Sequence, residues 1–246
     1  MTVLYLHALV ADVHASFAPN EAVPLLDALR GEGDVLAPPL PGYEGGPALD
    51  GFHAIDDWTF HLADLLAAAG HDRVDVVGAS LGGWLAVELA LRHPQLVERL
   101  ALVAPLGLHV AGAPVEPFFG AVAPRGVGGF GEARRLLFAD PDGVAAHRAL
   151  PDDMGRDQQL RWFAGLAGAA RLGWDAPHFQ SRLLARHVHR VACPTTLVFG
   201  GLDRLVPDAH ATAWRSVLPG AETTTIDGAG HAVHAEEPAA VVAAVR

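Results

Sequence analysis

The chain has 246 residues, 51% of them hydrophobic and 18% charged. That is a globular composition, long enough for one large domain or a domain with an insertion. A formal net charge of −11 argues against a nucleic-acid partner, because phosphate binding needs clustered cations. No apolar run is long enough to cross a bilayer, so no membrane association is expected.

All 17 basic residues are Arg, and their placement is uneven: residues 106–190 carry 10 Arg and 8 acids, and the remainder 7 Arg and 20 acids. Cys193 is the sole cysteine, so an intrachain disulfide is impossible. The first apolar residues have no basic residue ahead of them and are followed at once by Asp12, which does not suit a signal peptide. Together these features predict a cytoplasmic protein.

Short apolar runs alternate with helical patterns, which predicts βαβ units and a mostly parallel sheet. Val3–Leu6 reads as a strand, Glu21–Arg30 as a helix and Val35–Ala37 as a short strand, followed by the loop PPLPGYEGGP. Asp56 or Asp57 can cap a helix whose apolar positions Trp58, Leu62, Leu65, Leu66 and Ala69 share one face and which stops at Gly70. Arg73–Val77 is then a strand, Leu81–Arg92 a helix and Arg99–Ala104 a buried strand. Thr195–Gly200 and Ala221–Ile226 are the last strands, and Pro238–Val245 is a closing helix.

Between Ala104 and Thr195 the alternation stops. Helical patterns near Glu132–Phe138, Gly143–Ala149, Asp157–Leu172 and Phe179–His187 predict a helical insertion, since an unstructured loop of that length is improbable. The expected organisation is a core of residues 1–105 and 191–246 with an insertion over 106–190.

Gly78-Ala79-Ser80-Leu81-Gly82 reads G-x-S-x-G and lies between a predicted strand and a predicted helix, the context a nucleophile elbow needs. A strand turning sharply into a helix leaves no room for side chains two residues either side of the tip. The chain has 27 Gly but only 4 Ser, so the serine gives the motif its information. A serine hydroxyl needs a base, and the base needs an orienting carboxylate. Asp203 follows the strand Thr195–Gly200, and His231, in IDGAGHAVH, follows the last strand. Loops at the carboxyl ends of parallel strands converge on one crevice. His234, Asp208 and Asp227 are competing choices for base and acid.

G-A-S-L-G-G, the G-x-x-D-x-x-V-P segment and the G-x-G-H segment, in that order, resemble the α/β-hydrolase superfamily in its single-domain form with a helical cap. The resemblance implies Ser80 as nucleophile, His231 as base and then acid, and Asp203 as the orienting acid. It implies backbone N–H donors of Leu81 and Leu9 as the oxyanion hole, with His7-Ala8 standing where relatives carry His-Gly. His7 itself reads as structural. Val3–Leu6 then resembles the family's third strand, which predicts about six strands without the usual two N-terminal ones. An exposed sheet edge would follow, open to a homodimer partner.

The insertion is expected to lie over Ser80 as a cap. Its aromatics Phe118, Phe119, Trp162 and Trp174 are candidates to line a pocket for a small, mainly apolar substrate, each with packing in the cap's own core as the competing reading. Trp84, on the elbow helix, is a pocket candidate that reads rather as core. No cofactor and no metal are implied. The reaction implied is cleavage of a carboxylic ester or lactone. A carbon–carbon bond hydrolase of ring-fission products is the alternative, although those relatives carry Asn before the nucleophile and Trp after the histidine, where this chain has Ala79 and Ala232. A non-catalytic ligand-binding protein on the same fold is the third reading.

Overall fold

A computed structural model describes residues 2–9, 24–122 and 130–246. The first half comprises β1 (Val3–Leu6), α1 (Pro24–Arg30), β2 (Val35–Leu36), α2 (Ile55–Ala68), β3 (Val74–Ala79), α3 (Leu81–Arg92) and β4 (Val97–Val103). The segment that follows holds β5 (Gly107–Leu108), α4 (Phe118–Val122), α5 (Gly131–Leu137), α6 (Val144–Ala149), α7 (Arg156–Gly173), β6 (Gln180–Ser181) and α8 (Arg182–His187). The chain then returns through β7 (Thr195–Gly200), α9 (Asp208–Val217), β8 (Glu222–Ile226), α10 (Val233–Glu236) and α11 (Pro238–Val245).

Six strands form one parallel sheet in the order β2-β1-β3-β4-β7-β8. Every residue of β3 is buried, as befits a parallel strand covered on both faces. Alternate side chains serve two apolar layers. Leu4, Leu6, Val76, Leu100, Leu102 and Leu197 pack with Trp58, Leu62 and Leu66 of α2 and Leu85 of α3. Tyr5, Val77, Ala101, Val103 and Val198 pack with Leu25, Leu26 and Leu29 of α1 and Val241 and Val242 of α11. The outer strands differ from the centre: β2 pairs over two residues only, and β8 shows Glu222 and three threonines to solvent. An edge as short as β2 offers little template for a partner strand.

Most elements match their expected positions, and the differences have physical causes. The α2 helix starts at Ile55, because Asp57 works from its first turn: its carboxylate accepts the N–H groups of His53 and Ala54, each at 2.8 Å. These two bonds hold the Asp57 carboxyl below its ordinary pKa. At the other end Gly70 takes φ +76 and the N–H groups of Ala69, Gly70 and His71 return to carbonyls of the last turn, as in an αL termination. Residues 21–23 of the first predicted helix lie outside the described residues.

The insertion departs furthest from expectation. It contains a strand pair, β5 with β6, and a short helix α4 in a Pro/Gly-rich stretch that carries no helical period. The expected helix start at Phe179 is wrong: Phe179 has φ +53 and precedes β6, and α8 begins only at Arg182. The insertion's buried Arg134 is consumed internally, donating to Leu150 O and pairing with Asp152 at 2.7 Å. Arg135 pairs with Glu132, and Arg161 with Glu44 at 3.4 Å. Burial pushes the Cys193 thiol up, which suits a packing residue rather than a nucleophile. Among the described residues no helix is long and apolar enough to cross a membrane.

Candidate active site

Ser80 stands at the turn between β3 and α3 with φ +53 and ψ −111, a conformation that non-glycine residues rarely adopt. The surroundings fix it there. Its N–H donates to Val103 O at 2.8 Å, and its carbonyl accepts Trp84 N and Leu106 N at 3.2 and 3.1 Å. The glycines either side are obligatory by contact. A Cβ at Gly78 would overlap Gly82 O and lie 2.8 Å from Ala86 Cβ; one at Gly82 would overlap Leu6 O and lie 2.7 Å from His7 O. The expected steric reason for G-x-S-x-G is therefore met by named atoms.

The carboxyl ends of β7 and β8 bring the other two side chains to this point. Ser80 Oγ lies 2.8 Å from His231 Nε2, and His231 Nδ1 lies 2.8 Å from Asp203 Oδ2. The other carboxylate oxygen of Asp203 accepts the N–H groups of Leu205 and Val206, both at 2.9 Å, which fixes the plane of the carboxylate. With Nδ1–H donated to Asp203, Nε2 is left as an acceptor for the Ser80 hydroxyl. All three side chains are largely buried. His231 rather than His234 meets Ser80, and Asp203 rather than Asp208 or Asp227 meets His231.

Gly200 lets the two loops close on each other, since a Cβ there would overlap Gly230 O and lie 2.6 Å from Ala229 O. Leu81 opens α3, so its N–H is among those with no partner inside the helix. The backbone of Leu6 and His7 runs against Gly82, and Leu9 is buried two residues further on. His7 is held by backbone on both sides: Nε2 accepts Leu40 N at 3.2 Å and Nδ1 donates to Ala8 O at 2.8 Å. Tyr43, from the PPLPGYEGG loop, packs edge-on against the His7 ring with centroids 4.5 Å apart. This is the structural role expected of His7, and the loop from Leu40 to Tyr43 is what holds it.

The aromatics proposed as pocket residues divide. Trp84 is in the packed core: it is 5% exposed, its Nε1 donates to the buried Glu88 carboxylate at 3.1 Å, and its ring fills the space a side chain on Gly107 would need. Glu88 also pairs with Arg92, which reaches Asp56 of α2 at 2.6 Å. Phe118 is fully buried, and Trp162 is packed edge-on against Phe130 at 5.3 Å. Phe119 stacks on Phe179 at 5.0 Å and touches Trp174, which is 60% exposed. Sequence reading missed the groups that brace the two loops. Arg204, next to Asp203, donates to Phe138 O at 2.9 Å, and Glu236 accepts Gly230 N at 2.7 Å. Both act on backbone atoms, which leave no residue-type signal in the sequence.

A family profile described as the alpha/beta hydrolase family matches residues 3–245. The chain belongs to the alpha/beta hydrolase family. Within it, the chain is 30% identical to 2-hydroxymuconate semialdehyde hydrolase of Pseudomonas putida, over 80% of this chain and 70% of that one. It is 30% identical to the pimeloyl-[acyl-carrier protein] methyl ester esterase of Neisseria meningitidis, over 88% and 84%. It is also 31% identical to the dihydrolipoyllysine-residue acetyltransferase component of the acetoin cleaving system of Cupriavidus necator, covering 94% of this chain but only 58% of that longer protein. Among solved hydrolases, 2-hydroxy-6-oxo-6-phenylhexa-2,4-dienoate hydrolase from Rhodococcus sp. strain RHA1 superposes with a TM-score of 0.73 over 98% of this chain and 88% of its own, at 19% identity. At that identity the likeness speaks for the alpha/beta hydrolase fold alone.

Proposed function

We propose that this protein is a serine hydrolase that cleaves a carboxylic ester or lactone of a small, mainly apolar substrate through an acyl-enzyme on Ser80. The observation that carries the reading is the unbroken relay from Ser80 Oγ to His231 to Asp203, 2.8 Å at each step, built on a strained elbow.

Ser80 Oγ attacks the carbonyl carbon as His231 Nε2 takes its proton. Asp203 holds the imidazole in the Nδ1–H tautomer and stabilises the imidazolium that forms. The N–H groups of Leu81 and Leu9 receive the oxyanion, each donor of this kind being worth about 3 kcal/mol. Collapse expels the alkoxide, which takes the proton back from His231. Water then repeats the sequence against the acyl-enzyme and frees Ser80. The segment from β5 to α8 is the cap over this site, and Phe119 and Trp174 are its candidate substrate contacts.

Similarity to a 2-hydroxymuconate semialdehyde hydrolase supports a second reading, carbon–carbon bond cleavage. Against it, the residue after the histidine is the buried Ala232, where the ring-fission hydrolases that the motifs resemble carry Trp.

A fluorophosphonate probe is expected to label the wild-type protein, and Ser80→Ala is expected to abolish labelling. A folded wild-type protein that stays unlabelled sinks the hydrolase reading. Rates on p-nitrophenyl esters, lactones and a vinylogous diketone then separate the two bond classes.

A further inference from the structure

The loop that carries His231 is tied down on both sides by the same short stretch of the insertion. Ala232 N donates to Leu137 O at 2.7 Å. On the other side Glu236 bridges: one carboxylate oxygen accepts Gly230 N at 2.7 Å and the other accepts Ala139 N at 2.8 Å. Gly230 allows the approach, since a Cβ there would lie 2.7 Å from both Ala139 N and Leu137 O. The Asp203 loop meets the same place through Arg204, which donates to Arg135 O at 3.2 Å and Phe138 O at 2.9 Å. The end of α5 is thus the common seat of the acid and base loops.

We propose that Glu236 is a positioning residue, which sets His231 against Ser80 and joins the histidine loop to the insertion; this rests on the hydrolase reading above. The chemistry calls for a carboxylate. The N–H groups of Gly230 and Ala139 each take one oxygen of Glu236, and the backbone of Asp140 bonds the same carboxyl, so both of its oxygens must accept. A glutamine in this place would meet one donor with its oxygen and turn its own NH2 on the other. Burial pushes the Glu236 carboxyl above its ordinary pKa, an effect these backbone bonds only partly offset. The charged and titratable groups around it are Asp140 just past α5, Arg204 reaching the same place from the Asp203 loop, Glu237 beside it and His231 on the loop it holds.

The test uses the full chain with Glu236→Gln and Glu236→Ala, each titrated with fluorophosphonate so that turnover is expressed per labelled Ser80. For p-nitrophenyl acetate, kcat per labelled site is expected to fall about 10-fold in the Gln variant and up to about 100-fold in the Ala variant, as for a displaced catalytic group, with KM within about twofold of wild type. A merely structural role would lower the labelled fraction and leave kcat per labelled site unchanged; that result overturns the proposal. Should neither variant fold, the wild-type amides decide. Gly230 and Ala139 N–H are expected downfield and slow to exchange, and fast exchange of either overturns it. If wild-type protein is not labelled at all, the hydrolase reading fails, and the two amides still test the joint.

Discussion

Replacing His231 with alanine is expected to lower turnover of p-nitrophenyl acetate by about four to six orders of magnitude, the range for losing the base of such a relay. The far-ultraviolet circular dichroism should be unchanged. The size of the effect follows from the geometry. Ser80 Oγ has its hydrogen bond to His231 Nε2, and Asp203 reaches the serine only through the ring. Removing the imidazole therefore idles all three residues at once. Asp203→Asn should keep the arrangement but reverse the hydrogen bond to Nδ1, presenting the wrong tautomer to Ser80, at a cost of about 10⁴ in kcat. If His231→Ala costs less than tenfold, the chemistry does not run through this relay.

Gly82→Ala is expected to be the most damaging single methyl group in the core. Its Cβ would overlap Leu6 O, on a central strand, and press His7 O at 2.7 Å. Neither is a flexible side-chain end that can rotate away. Overpacking of a core costs about 1–3 kcal/mol, and a collision with buried backbone should reach or pass the upper value. The damage should extend to activity, because the strand it pushes leads directly into the loop of Ala8 and Leu9. Gly220→Ala is the control, since a Cβ there meets nothing within 4 Å. Chemical denaturation compares the two, and a loss below about 1 kcal/mol at Gly82 would show that the strand yields.

The parallel core and the three polar residues were legible because each leaves a local mark. The strand β3 is buried throughout and apolar but for Asp75, α3 follows at once, and Ser80 sits between glycines whose contacts explain them. Asp203 and His231 were found through position, each just past one of the last two strands. The insertion was legible only as helical. The β5–β6 pair spans two residues on each side and joins positions some 70 residues apart, too short to show a period. Trp84, a pocket candidate that also read as core, is packed in the core: Glu88 lies one turn along the same helix, a spacing the sequence shows, whereas Gly107 of β5 is brought against its ring only by the fold. Leu9 was placed by resemblance, and residues 10–23, which follow it, lie outside the described residues.

The position of β8 has a consequence for how the protein fails under stress. Among the described residues the strand that delivers His231 is the outermost on its side, bonded to β7 and facing water with its threonines. Strands so placed detach at lower free energy than the centre of a sheet. Ser80, by contrast, leaves from β3, deep in the middle. In rising urea, ester turnover should therefore vanish at a lower concentration than the tryptophan signal of Trp58 and Trp84, buried at the helix–sheet layer. The enzyme would then be silenced reversibly by peeling of a single border strand, well before the molecule melts.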